Sequence, residues 1–265
     1  MPEPLLNEYL EVSRRAARAG GEVLLDWADR FAVREKGRAD LVTEADLASQ
    51  EAIRRLLSEA FPDHGFLGEE NGADHAGRDG YRWIVDPLDG TTNYVHGLHQ
   101  YAVSIGLERR GTLLVGTVYD PNADECFSAA AGGGAWLNDR PLKVSGVERL
   151  EQALVAASLP PAADRHHPAA AEFLTVMERV QAIRRMGSSA LNLCYLAAGR
   201  VDAYWARDTK IWDIAAGFLL VTEAGGVLTD YTGGPVDIVR PRFVAAATRS
   251  LHAELSDVLR SPVAT

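Results

Sequence analysis

Cysteine and methionine are scarce in this 265-residue chain, with two Cys and three Met. Cys126 and Cys194 stand far apart and form no C-x-x-C pair, which argues against a thiolate metal site or a redox dithiol and predicts two buried free thiols. Basic residues are outnumbered, 27 Lys and Arg against 37 Asp and Glu, for a formal net charge of -10. That balance argues against a general nucleic-acid partner, since phosphate backbones need clustered cations. It leaves room for a phosphorylated small molecule if metal ions reverse the local field. No apolar run approaches the roughly 18 residues of a membrane span. The opening "MPEPLLNEYLEVSRRAARAGG" carries charges where a signal peptide would be apolar, so the expectation is a cytoplasmic protein with no membrane partner. No G-x-G-x-x-G turn follows a strand, which sets aside a dinucleotide-binding dehydrogenase. Internal repeats, low-complexity tracts and Pro- or Ser-rich linkers are also missing.

What is present is patterned. Leu5, Tyr9, Val12, Ala16, Ala19, Val23 and Trp27 keep helical spacing, which Gly20 and Gly21 weaken without breaking. "TEAD" from Thr43 has the form of a capping box, predicting a helix through Ala45, Ala48, Ala52, Leu56 and Ala60 that Pro62 ends. From about 81 to 145 the chain reads as strands and turns, with Arg109-Arg110-Gly111 joining two strands. After 150 strands alternate with helices, expected around 168–180, 188–198 and 213–224. The expected architecture is a helix and antiparallel-sheet half, about 1–145, packed on an α/β half, about 146–265. Together they form a single domain with a site between the halves.

Several acids stand next to apolar runs. "GFLGEE" puts Glu69 and Glu70 at a strand end, "WIVDPLD" puts Asp86 and Asp89 at another, and "IWDIAAG" puts Asp213 at the mouth of a helix. A carboxylate at the edge of a core must be protonated, paired or bound to a cation, because burying it bare costs too much. No matching number of Lys or Arg accompanies these acids. An oxygen-only donor set suggests Mg²⁺, Mn²⁺ or Ca²⁺ rather than zinc. Pro87 turns the chain so that both aspartates approach one region with the Leu88 carbonyl exposed. If a helix begins at Gly90-Thr91-Thr92, its free N–H groups make an anion site beside the cations. More ordinary roles compete. "DPLDG" is also a common surface turn, Asp46 completes a cap, Asp213 suits a helix start, and Thr92, Asn93 and Ser188 are natural capping groups.

"GEE" at 68–70, "DPLDGTTN" at 86–93 and "WDIAAG" at 212–217, with "DLVTEAD" at 40–46, resemble the inositol monophosphatase family of Mg²⁺-dependent, lithium-sensitive phosphatases. Order and spacing agree over nearly the whole chain. The resemblance implies a layered αβαβα sandwich, of α+β or α/β class, as in the sugar phosphatases. It implies a phosphomonoesterase acting on inositol 1-phosphate or a similar polyol phosphate by in-line attack of a metal-activated water. Glu69, Asp86 and the Leu88 carbonyl would hold one Mg²⁺, and Asp86, Asp89 and Asp213 a second. A third ion would sit loosely near Glu69, and Mn²⁺ is an alternative metal. Thr91, paired with Asp46, would orient or deprotonate the water, with Glu69 counted among the catalytic groups. Gly90, Thr91 and Thr92 would bind phosphate oxygens, and Gly187, Ser188, Ser189 and Asp213 would meet the substrate. His96 is read as structural, and a homodimer is implied.

One position departs from the family. Where inositol-specific members place an acid seven residues before the Asp of "WD", this chain has Ala206, which cannot accept hydrogen bonds from ring hydroxyls. Asp208 is a candidate replacement. Arg207 and Lys210 nearby suit instead a leaving group with a second anion, as in fructose 1,6-bisphosphate or 3′-phosphoadenosine 5′-phosphate; histidinol phosphate is a further alternative. A non-catalytic phosphate-binding relative would have lost a metal ligand, and no ligand is lost here.

Overall fold

The computed structural model describes residues 3–28, 30, 32–37, 40–70, 77–160, 163–238 and 241–260. The amino-terminal helix α1 spans Glu3–Trp27, followed by the paired strands β1 (Val33–Gly37) and β2 (Asp40–Thr43), and by helix α2 (Glu44–Ala60). Thr43 caps α2 as its sequence predicts. Its hydroxyl accepts from the Ala45 N–H at 3.2 Å, and its own N–H donates to Asp46 at 2.9 Å.

Strands β3 (Gly65–Gly68), β4 (Tyr81–Asp89), β5 (Ala102–Arg109), β6 (Thr112–Asp120), β7 (Glu125–Ala130), β8 (Ala135–Leu137) and β9 (Arg140–Pro141) form a seven-stranded sheet in sequence order. Between β4 and β5 lies the short helix α3 (Thr91–Val95). All neighbours are antiparallel except β3 and β4. The remainder supplies β10 (Leu154–Ser158), α4 (Pro168–Met177), β11 (Ala182–Arg184), α5 (Ser189–Ala197), β12 (Ala203–Arg207), α6 (Ile211–Glu223), β13 (Val227–Asp230), β14 (Arg242–Ala246) and α7 (Arg249–Arg260). Its five strands run β11-β10-β12-β14-β13. β10, β11 and β12 are parallel, whereas β14 is antiparallel to both its neighbours. Among the described residues no helix separates β13 from β14, and a parallel return needs such a crossover.

Three apolar layers hold the five tiers together. The first joins Leu10, Ala17, Leu24, Ile53 and Leu57 of α1 and α2 to Trp83, Val103 and Val115 of the larger sheet. In the middle, Leu191, Leu193 and Leu196 of α5 and Phe218 and Leu220 of α6 meet Val118 and Phe127 on one side and Tyr204 and Phe243 on the other. The outer layer sets Leu251, Leu255 and Leu259 of α7 against Val155, Trp205 and Val244. The order is helix, sheet, helix, sheet, helix, the expected αβαβα sandwich. Each fully buried Leu, Ile, Val or Phe contributes about 1.5–3 kcal/mol, enough in aggregate to offset a buried acidic site. No helix among the described residues is long and apolar enough to cross a membrane. Cys126 and Cys194 are buried and free, as expected.

Candidate active site

Strand β4 is buried on both faces, and its alternation directs side chains to different layers. Trp83 and Val85 join the α1/α2 core, while Ile84 meets Ala215 of α6. By the same alternation Asp86 faces α6. A regular strand would send Asp89, three residues on, to the opposite face. The β4–β5 register shifts between them: Asp86 pairs with Ser104 and Asp89 with Ala102. Three steps on one strand against two on the other are a β-bulge, and it re-aims a side chain. Both carboxylates therefore share one face. Pro87 sits inside the bulge, where its missing N–H is no loss to the ladder.

Asp213 arrives from α6. The Ser104 hydroxyl donates to the Trp212 carbonyl at 3.1 Å, fixing the start of α6 against β5. Asp213 also accepts the Lys210 N–H at 2.9 Å, so it caps its helix and faces the cluster at once. Oxygens of Asp86, Asp89 and Asp213 lie within 4.8 Å of one another. Glu69 stands outside that tight group, yet its charge acts on both Asp86 and Asp213. Burial first, and then repulsion from neighbouring acids, holds the carboxyls of Asp86 and Asp213 well above the ordinary aspartate range. Burial pushes Asp89 up to about 6, against hydrogen bonds from Ser188 and Ala190 that favour its charged form. Those bonds measure 2.5 and 2.7 Å. Three hard oxygen donors, none of them in an ion pair among the described residues, form a fitting cradle for a divalent metal ion.

The turn after β4 is conditioned by glycine. Gly90 has φ of 103°, and a Cβ there would stand 2.9 Å from the Gln100 carbonyl. Helix α3 does start at Thr91 but spans only five residues, so the expected dipole is small. Its free N–H groups are the useful part. The Thr91 hydroxyl lies 3.4 Å from an Asp46 oxygen and 3.1 Å from the Leu88 carbonyl. The other Asp46 oxygen receives the Thr43 N–H and hydroxyl. The cap and the Thr91 contact thus coexist on different oxygens of one carboxylate. Asp46 is fully buried, and burial raises its carboxyl to about 6.

A cavity of about 500 Å³ opens beside this cluster. Thr92, Gly187, Ser189 and Asp213 line it, whereas Ser188 is buried beneath and spends its hydroxyl on Asp89 and on capping α5. Asn93 does more than the capping expected of it. Its amide donates to the Gln100 and Met186 carbonyls, both at 2.7 Å, tying α3 to the loop before α5. Gly187, with φ of 86°, leaves room for that amide, which a Cβ would approach to 2.7 Å. Ser158 and Arg185 also line the cavity, and no sequence motif marked either. Ala206 is fully buried in the middle core, and His96 is exposed at the end of α3. Asp208 does line the cavity.

Comparison with known proteins gives a consistent outcome. The sequence model described as "Inositol monophosphatase family" matches residues 5–262. An inositol-1-monophosphatase from Mesorhizobium japonicum is 40% identical over 264 residues, covering 98% of this chain and 97% of the relative. A protein named Nus factor SuhB from Pseudomonas aeruginosa is 39% identical, covering 97% and 96%. The solved inositol monophosphatase of Anabaena (Nostoc) superposes with a TM-score of 0.86 at 38% identity, over 97% of this chain and 98% of that one.

Proposed function

The chain belongs to the inositol monophosphatase family and is a phosphatase, and we propose that it hydrolyses inositol 1-phosphate or a similar polyol phosphate with Mg²⁺. The observation that carries this reading is the approach of Asp86, Asp89 and Asp213 to within 4.8 Å at the edge of an open cavity. Glu69, Asp86, Asp89, Asp213 and the Leu88 carbonyl would hold two or three ions, with Asp86 shared between two, and Mn²⁺ would substitute. Their repulsion is of the kind that a divalent cation compensates. When bound, the metal supplies charge neutralisation on phosphate oxygens and makes water easier to deprotonate.

The chain's own groups do the rest. The Thr91 hydroxyl donates a hydrogen bond to Asp46, which leaves its lone pairs to accept one from an attacking water. As the water gives a proton to the Thr91 oxygen, the threonine's own proton passes to Asp46, which is ionised above about 6 and ends the step protonated. The N–H groups of Gly90, Thr91 and Thr92 would receive phosphate oxygens. Gly187 and Ser189 would border the alcohol, while Ser188 orients Asp89. Both halves of the chain contribute groups to this one cavity, which supports a single phosphatase domain. We also propose a homodimer acting in the cytoplasm; two unpaired thiols suit a reducing compartment, and light scattering reads the assembly.

The test is phosphate release from inositol 1-phosphate with Mg²⁺, with EDTA, and in Asp89→Asn and Asp213→Asn. Expected losses on the order of a thousandfold correspond to about 4 kcal/mol of transition-state stabilisation. Undiminished turnover in both variants would sink the metal assignment.

A further inference from the structure

The wall of the cavity facing the leaving group comes from the carboxyl ends of β10, β11 and β12, the three parallel strands. Ser158 closes β10, Arg185 follows β11, and Arg207 closes β12 with Asp208 next. Carboxyl ends of parallel strands are where α/β sheets bind ligands. The charges there divide simply. Arg207 is committed to Glu172, which also meets Arg242, its cross-strand neighbour on β14. Arg185 is exposed and makes no ion pair among the described residues. Asp208 keeps 65% of its side chain exposed. The accessible wall therefore offers one cation and one anion.

Asp208 is held in place by its backbone. Its φ of 59° is left-handed, which Asp tolerates better than most residues, and its N–H donates to the Pro241 carbonyl at 3.1 Å. His167 Nε2 stands 4.0 Å from a carboxylate oxygen. Because His167 Nδ1 accepts the Ala169 N–H, the ring's proton in its neutral form lies on Nε2, facing Asp208. That contact steadies the carboxylate and leaves most of its accepting capacity unused.

Resting on the phosphatase reading above, we propose that Asp208 determines specificity by accepting hydrogen bonds from hydroxyls of the leaving group, so that the site favours polyol monophosphates over esters with a second phosphate. A hydroxyl both donates and accepts, and it fits between a carboxylate and a guanidinium. A second phosphate brings nearly two negative charges, accepts only, and calls for an excess of cations. This wall has no such excess.

The experiment compares wild type with Asp208→Asn, which tolerates the same left-handed backbone, on three esters with Mg²⁺. These are inositol 1-phosphate, p-nitrophenyl phosphate and fructose 1,6-bisphosphate. The readout is kcat/KM for each ester relative to p-nitrophenyl phosphate, which has no alcohol hydroxyls. Expected is a fall of about tenfold or more in the inositol 1-phosphate ratio, carried by KM, as for a lost charged hydrogen bond. The bisphosphate ratio should hold or rise. An inositol ratio within twofold of wild type overturns the assignment, as does a wild type that prefers the bisphosphate. No Mg²⁺-dependent release from any of the three by wild type overturns the phosphatase reading and this inference with it.

Discussion

Replacing Asp213 by Asn should stabilise the metal-free protein while it removes activity. Ionised Asp86, Asp89 and Asp213 approach within 4.8 Å, and at an effective dielectric of about 20 each pair repels by roughly 3.5 kcal/mol. Burial adds a separate cost at Asp89, one that removing Asp213 does not relieve. The rise of Asp89 from 3.8 to about 6 is worth about 3 kcal/mol at neutral pH. Asp213 keeps partial contact with solvent, which screens part of the repulsion, so about 1–3 kcal/mol is expected for its removal. Asn retains the bond from the Lys210 N–H through its carbonyl oxygen, so the helix start is preserved. In EDTA at pH 8 the variant should melt about 3–10 °C above wild type. A carboxyl raised in the folded state costs stability only where it ionises. The advantage should therefore be absent below pH ~4, near the ordinary aspartate value, and grow as pH rises from there toward the raised value that Asp213 holds in the folded state. Adding Mg²⁺ should raise the wild-type midpoint, as ligand linkage requires, and raise the variant's less. Thermal unfolding at pH 4, 6 and 8, with EDTA and with Mg²⁺, reads all of this. A variant less stable than wild type in EDTA at pH 8, or a gap that ignores pH, refutes the argument from mutual repulsion.

Further expectations concern neighbouring groups. Thr91→Ala should lower kcat by about 10²–10⁴-fold with a smaller change in KM, measured by phosphate release. The acid limb of kcat should fall at or below pH ~6, where Asp46 protonates, and it should disappear from the residual activity of Asp46→Asn. Gly187→Ala places a Cβ against the Asn93 amide at a positive φ and should cost about 1–3 kcal/mol, visible in urea unfolding. Asn93→Ala removes the tie between the Gln100 and Met186 carbonyls. It should raise KM more than it lowers kcat.

Much of the fold was legible because its signals are local. Helical spacing from Leu5 to Trp27 and the Thr43 cap located α1 and α2, and alternating units after 150 indicated a sheet covered by helices. The edges were less legible. α6 begins at Ile211, two residues ahead of the Asp213 start, because Lys210 and Asp213 make its cap through the backbone. α4 ends at Met177 rather than near 180. The parallel pairing of β3 with β4 and the antiparallel β14 depend on partners distant in sequence, which no local pattern encodes.

The order and chemistry of the acidic motifs determined, by themselves, the family and the oxygen-donor character of the site, since residue type limits what an acid beside a core can do. The tertiary structure decided how those acids meet. The β4–β5 bulge turns Asp86 and Asp89 to one face, and Ser104 holds α6 so that Asp213 joins them. It also buries Ala206 and turns Asp208 into the cavity by a left-handed residue. Strand register and backbone dihedrals set by distant contacts control the direction of a side chain, and neither is written in a motif.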